Sequence, residues 1–155
     1  ESGSRALPFP EELRFVLWVP ELELETRVAR SVLPRELSVP HAIAWAQNLG
    51  ALIHALHSDD RRLLASVLRD SLAEPYRAAL VPGFRDVQRA ALAAGALGCT
   101  LSGAGPAVFA VAEPESAATI AAAGVAAWRA AGVTAYARLC RLDLAGARRV
   151  DEPEP

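Results

Sequence analysis

The spacing of apolar and polar positions along the chain divides it into short strands and amphipathic helices. Residues 12–19 are rich in β-branched and aromatic side chains and predict a strand that Pro20 stops. Thr26 is placed as the N-cap of a short helix ending at Pro34. Ser38 is placed as the cap of a second helix, with Pro40 in its first turn. Its apolar positions Ile43, Ala46, Leu49, Leu52, Ile53 and Leu56 recur at helical spacing as far as His57. Ser58 with Asp59 and Asp60 opens a third helix, lined by Leu63, Leu64, Val67, Leu68 and Leu72 and ended by Pro75. Residues 76–81 read as a connector, and a fourth helix runs from Pro82 or Gly83 to Ala94, with Gly95 as its stop.

Two apolar runs, 97–101 and 107–112, then flank a tight Ser102-Gly103-Ala104-Gly105-Pro106 turn and predict a hairpin. An alanine-rich helix over 115–131 stops at Gly132, and residues 133–142 form a last strand. Residues 1–11 are a lead-in, and the charged, proline-bearing tail 143–155 is expected to fray. The order predicts a single α+β domain with an ordered core over about 12–142. Its plan is a ferredoxin-like βαββαβ antiparallel sheet, with helices on one face and a first crossover enlarged to several helices.

Composition narrows the function classes. A chain of 155 residues, 52% hydrophobic and 22% charged, holds one core, and a net charge of −2 offers no basic field for nucleic acid. No apolar run approaches the roughly 20 residues of a membrane span. Cys99 and Cys140 lie in apolar runs and are expected to be reduced core thiols. The chain begins at Glu1 and contains no methionine, which is expected of a piece of a longer product.

The chemistry concentrates at three places. Glycines at 103 and 105 allow positive φ and close backbone approach, and successive amides in such a turn form a concavity suited to an anion, with the Ser102 hydroxyl beside it. Arg30 lies one turn beyond Thr26, so hydroxyl and guanidinium share a helix face. Arg77 follows Glu74-Pro75-Tyr76 in a connection between helices, where ligand-binding residues tend to lie. Arginine presents a planar fork that fits a carboxylate or a phosphate. On residue chemistry alone, the three define a site for a small anion. His54 and His57 have no third ligand spaced to join them, so no metal site is expected, and His41 is expected to be solvated. Trp18, Trp45 and Trp128 are scattered and read as core anchors. No nucleophile-elbow, Walker or zinc spacing occurs.

The run Leu101-Ser-Gly-Ala-Gly-Pro-Ala-Val-Phe-Ala110 resembles the third, glycine-rich motif of the GHMP small-molecule kinases. Thr26-x-x-Ala-Arg30, Val32-Leu33-Pro34, Ala73-Glu74-Pro75-Tyr76-Arg77 and Leu80-Val81-Pro82-Gly83-Phe84 extend the resemblance from about Leu13 to Leu142. Together they are similar to the branch of the family that phosphorylates L-homoserine. The resemblance implies the C-terminal domain of a cytoplasmic ATP- and Mg2+-dependent kinase of threonine biosynthesis. Thr26, Arg30, Arg77 and Gly103 would be substrate-binding, and Ser102, Gly103, Ala104 and Gly105 would form the phosphate loop. The family's Pro-x-x-x-Gly-Leu-Gly-Ser-Ser-Ala loop is not in this sequence. The resemblance therefore implies that an N-terminal ATP-binding domain is missing, that no catalytic group lies in this chain, and that the chain alone neither binds ATP nor turns over. A homodimer, another GHMP kinase acting on mevalonate or a sugar, and a free-standing amino-acid-binding module stay open.

Overall fold

A computed structural model describes residues 6–144; residues 1–5 of the lead-in and 145–155 of the tail predicted to fray lie outside the described residues. The elements in order are β1 (Arg14–Pro20), α1 (Thr26–Ser31), α2 (Val39–Ser58), α3 (Arg61–Val67) and α4 (Glu74–Arg77). A 3-10 turn (Ala78–Leu80), α5 (Phe84–Ala93), β2 (Gly98–Leu101), β3 (Val108–Ala112), α6 (Ala117–Ala130) and β4 (Ala135–Cys140) complete the fold. The four strands form one sheet in the order β2-β3-β1-β4, every neighbour antiparallel. This is the ferredoxin-like plan expected from the sequence.

Pro20 closes β1 from inside it. Pairing with β3 ends at Trp18↔Val108, so by Pro20 the strand is paired only with β4, opposite Ala135, and a missing N–H costs no central ladder bond. On β3 successive side chains enter different cores. Val108, Ala110 and Ala112 join Val16, Trp18, Phe84, Val87, Ile120 and Trp128 under α5 and α6, whereas Phe109 and Val111 join Leu13, Ala55 and Leu64. The helices therefore do not all lie on one face: α2 and α3 of the enlarged crossover cover part of the second.

The tightest contact in the first core is between α6 and β1. A Cβ built on Gly124 would sit 2.2 Å from Trp18 Cε2, so the helix approaches the indole as closely as a hydrogen allows. The indole Nε1–H donates to the Ala121 carbonyl at 3.0 Å, which satisfies the one polar atom of the ring.

Other expectations are corrected. The third helix begins at Arg61, with Asp60 accepting the Leu63 amide as its cap, and stops at Val67, well short of Leu72. Trp18 and Trp128 are core anchors, but Trp45 is exposed on α2. His41 is half-buried and not solvated, with Nε2 2.9 Å from the Ser71 carbonyl. Cys99 is buried, while Cys140 is only half-buried on the opposite edge strand.

Candidate functional site

The site is assembled at the end of the sheet where β1 finishes and the β2–β3 hairpin turns. In that hairpin the Ser102 amide donates to Ala107 O at 2.8 Å and the Gly105 amide to Ser102 O at 3.1 Å. Gly103 and Gly105 take φ of 61° and 88°, the left-handed region that favours glycine. The amides of Gly103 and Ala104 have no hydrogen-bond partner among the described residues. Two adjacent N–H groups in an otherwise bonded turn are thus left available to a ligand.

Beside the loop stands α4, and its origin differs from the expected one. Pro75 does not end α3; it lies in the first turn of α4, where its missing N–H removes no helical bond. The three preceding amides are capped by a single carboxylate. Asp70 Oδ1 accepts from Leu72 and Ala73, both at 2.8 Å, and Oδ2 accepts from Glu74 at 3.0 Å. A helix opened this tightly presents Arg77 at its far end in a set position.

Arg77 is the residue that joins the pieces. Its Nε donates to Ala29 O of α1 at 3.0 Å, and its Nη1 donates to Gly103 O of the glycine loop at 3.1 Å. Its Nη2 has no hydrogen-bond partner among the described residues. The structure thus brings Arg77 into contact with Gly103 of the loop and with Ala29 of α1. Arg30 follows Ala29 in the last turn of α1, exposed and with its guanidinium unbonded among the described residues. Thr26 is the first residue of α1 and not its cap; Glu25 occupies the cap position without a side-chain bond, and Thr26 is exposed. No hydrogen bond links Thr26 or the Arg30 side chain to the loop among the described residues.

Beneath α4 lies a group whose burial sequence reasoning missed. Glu74 is the one charged residue buried in the described fold. Its carboxylate accepts from Arg85 Nη1 at 2.6 Å, Gln88 Nε2 at 3.1 and 3.2 Å, and Thr100 Oγ1 at 2.7 Å. Gln88 also donates to Cys99 O at 2.8 Å, so α4, α5 and β2 meet at one anion. Burial first, and the charge of Glu74 second, push the neighbouring Cys99 thiol from 9.0 up to about 12. Among the described residues no group of three or more His, Cys, Asp or Glu is placed to hold a metal ion. His57 Nδ1 lies 3.0 Å from Ile53 O of its own helix.

A glycine-rich loop tied by arginine to a helical crossover, on this sheet, defines a class. The family model described as GHMP kinases C terminal matches residues 42–130, and the chain belongs to that family. Its similarity to particular members is narrower. Homoserine kinase of Microchaete diplosiphon is 41% identical over 146 residues, covering 94% of this chain and 48% of that protein. Homoserine kinase of Trichormus variabilis is 44% identical over 141 residues, 91% of this chain and 47% of that one. The crystal structure of homoserine kinase from Cytophaga hutchinsonii superposes with a TM-score of 0.83 at 36% identity, over 86% of this chain and 42% of that chain. The chain spans about half the length of the curated relatives it matches. Phosphomevalonate kinase of Streptococcus pneumoniae shares the fold alone, with a TM-score of 0.64 at 13% identity.

Proposed function

We propose that this chain is the C-terminal, acceptor-side domain of an ATP-dependent homoserine kinase. In that reading the full-length protein transfers the γ-phosphoryl of ATP to the side-chain hydroxyl of L-homoserine in the cytoplasm, for threonine biosynthesis. The observation that carries it is the Arg77 bridge between Ala29 and Gly103, because it puts a carboxylate-matching guanidinium next to a phosphate-matching loop. The homoserine kinases among its relatives supply the substrate.

Within this domain the work is positioning and charge stabilisation, since a phosphoryl transfer asks the protein for little covalent chemistry. Arg77, through its unbonded Nη2, and Arg30, through its free fork, hold the amino-acid carboxylate. Thr26, on the same short helix as Arg30, adds a hydroxyl nearby. The free amides of Gly103 and Ala104, within the loop Ser102 to Gly105, receive negative charge on the transferring group. In this reading Mg2+ would accompany ATP on the N-terminal half, and no step is assigned to it here.

The test uses the full-length gene product, assayed for ADP release with homoserine, mevalonate and galactose as acceptors. Turnover with homoserine alone is expected. Turnover with another acceptor instead assigns a different GHMP kinase, and no turnover with any, together with an upstream frame lacking the family's ATP loop, replaces the kinase by a binding module.

A further inference from the structure

The turn that delivers Arg77 contains an acid that the proposed chemistry does not use. Arg77 ends α4, a helix of four residues. A single turn fixes several dihedrals for very few hydrogen bonds, so α4 is not held by its own backbone. Ala73, in the cap position, makes no side-chain bond to it. The Asp70 carboxylate supplies what is lacking, and it does so through one peptide unit in particular. The Glu74 N–H of the Ala73–Glu74 peptide donates to Asp70 Oδ2 at 3.0 Å. The carbonyl of the same peptide, Ala73 O, accepts the Tyr76 and Arg77 amides, both at 3.1 Å. A trans peptide is planar, so its two ends turn together. One flat group therefore carries the direction set by Asp70 to the backbone of Arg77.

Asp70 is itself fixed from behind. The chain on either side of it is bonded to α2: Val67 O accepts from Asn48 Nδ2 at 3.0 Å, and Ser71 O accepts from His41 Nε2 at 2.9 Å. Its other oxygen takes the Leu72 and Ala73 amides, so both carboxylate oxygens are in use and the side chain is half-buried. Glu74 has different work. Its side chain binds α4 to α5 and β2, whereas Asp70 sets the path of the backbone that leads to Arg77.

We infer that Asp70 is a positioning residue for the acceptor arginine. It acts through Arg77 and not on the substrate: by holding the Ala73–Glu74 peptide it fixes where Arg77 presents its unbonded Nη2. The inference rests on the reading of Arg77 as a ligand of the homoserine carboxylate. Arg77 reaches Ala29 O and Gly103 O at 3.0 and 3.1 Å, and a misplacement of about 1 Å in such a group can cost about a hundredfold in rate.

The experiment is a double-mutant cycle on the full-length protein, with homoserine and ATP varied separately. Asp70→Asn keeps one oxygen for Leu72 and Ala73 and sets an NH2 against the Glu74 amide, so it breaks the one bond at issue. It is expected to lower kcat/KM for homoserine roughly tenfold with the KM for ATP nearly unchanged. With Arg77 already changed to Ala, the same substitution is expected to alter kcat/KM less than about twofold. Asp60→Asn, at the cap of α3 beside the second core, is expected to leave homoserine kinetics as in wild type. Wild-type kinetics in Asp70→Asn overturn the inference, as does an equal loss in Asp60→Asn. If Asp70→Asn does not fold, Asp70→Ser, whose hydroxyl accepts from one amide, takes its place in the cycle; failure of both to fold overturns a local role. Normal homoserine kinetics in Arg77→Ala overturn the reading of Arg77 and the inference together. A loss in Arg77→Ala with an undiminished effect of Asp70→Asn overturns the inference alone.

Discussion

The hydroxyl of Thr100 on β2 and the buried carboxylate of Glu74 on α4 lie 2.7 Å apart, joining residues 26 positions apart in the chain. Glu74 is the second residue of the motif that delivers Arg77, so the support of Arg77 is anchored in the sheet. Glu74→Ala removes the acceptor for Arg85, Gln88 and Thr100 together. Arg85 is half exposed, and water screens much of its share, so the cost falls on Gln88 and Thr100. A loss of about 3 kcal/mol is expected, against about 1.5 kcal/mol for Thr100→Val. Urea midpoints of the full-length protein at unchanged slope measure both, and equal midpoints for wild type and Glu74→Ala would remove Glu74 as an anchor.

Arg77 and Arg30 separate by kinetics. Arg30 is free to serve a ligand alone, so Arg30→Ala is expected to lower kcat/KM for homoserine roughly ten- to a hundred-fold with the KM for ATP nearly unchanged. Arg77→Ala also releases Gly103 O and Ala29 O, and its loss is expected to be larger and to include kcat, because the loop loses its tether. Arg77→Lys recovers only part, as an ammonium cannot reach both carbonyls and a carboxylate in one plane. Normal homoserine kinetics in both alanine variants would remove the pair from the site.

Gly124→Ala tests the approach of α6 to β1. The added methyl has no room beside Trp18, so either the helix lifts or the indole turns and leaves the Ala121 carbonyl. A loss of about 2 to 3 kcal/mol is expected, read as a lower unfolding temperature with a shift in tryptophan emission. An unchanged melting temperature would mean that the helix has slack which the contact distances deny.

How much of this was readable from the chain depends on how local each feature is. The hairpin was, because its two apolar runs and the glycines between them are neighbours in sequence. So was α2, from a sustained 3.6-residue period capped by Ser38. The start of α4 was not. Pro75 ends one pattern or opens another, and the deciding partner is the side chain of Asp70, whose position five residues before a proline was the available signal for a cap. The burial of Glu74 was hidden for a stronger reason: its partners come from α5 and β2, and nothing in the local spelling says that three donors converge. Trp45 failed oppositely, since its apolar character promised burial that the described fold does not provide.

Cys99 supplies a pH prediction. Its thiol is held neutral up to about pH 12 in the folded state and ionises near pH 9 when unfolded. Between these values the unfolded chain has lost the proton that the folded chain keeps, so stability falls as pH rises. The slope is at most about 1.4 kcal/mol per pH unit. It is expected to be absent in Cys99→Ala, as measured by urea unfolding at pH 8.5 and 10.5. At neutral pH a thiol reagent is expected to label Cys140 and to reach Cys99 only on unfolding; labelling of Cys99 in the folded protein would contradict its burial.

The bond from Arg77 to Gly103 O has one more effect, and it follows from the planarity of a peptide. The carbonyl of Gly103 and the N–H of Ala104 belong to one rigid trans unit and point in opposite directions. Drawing the oxygen toward Arg77 therefore turns the Ala104 N–H away from it. The guanidinium and the Ala104 N–H are held at opposite edges of one flat peptide unit. Loss of the Arg77 bond therefore frees that unit to turn, and with it the direction in which the Ala104 N–H faces.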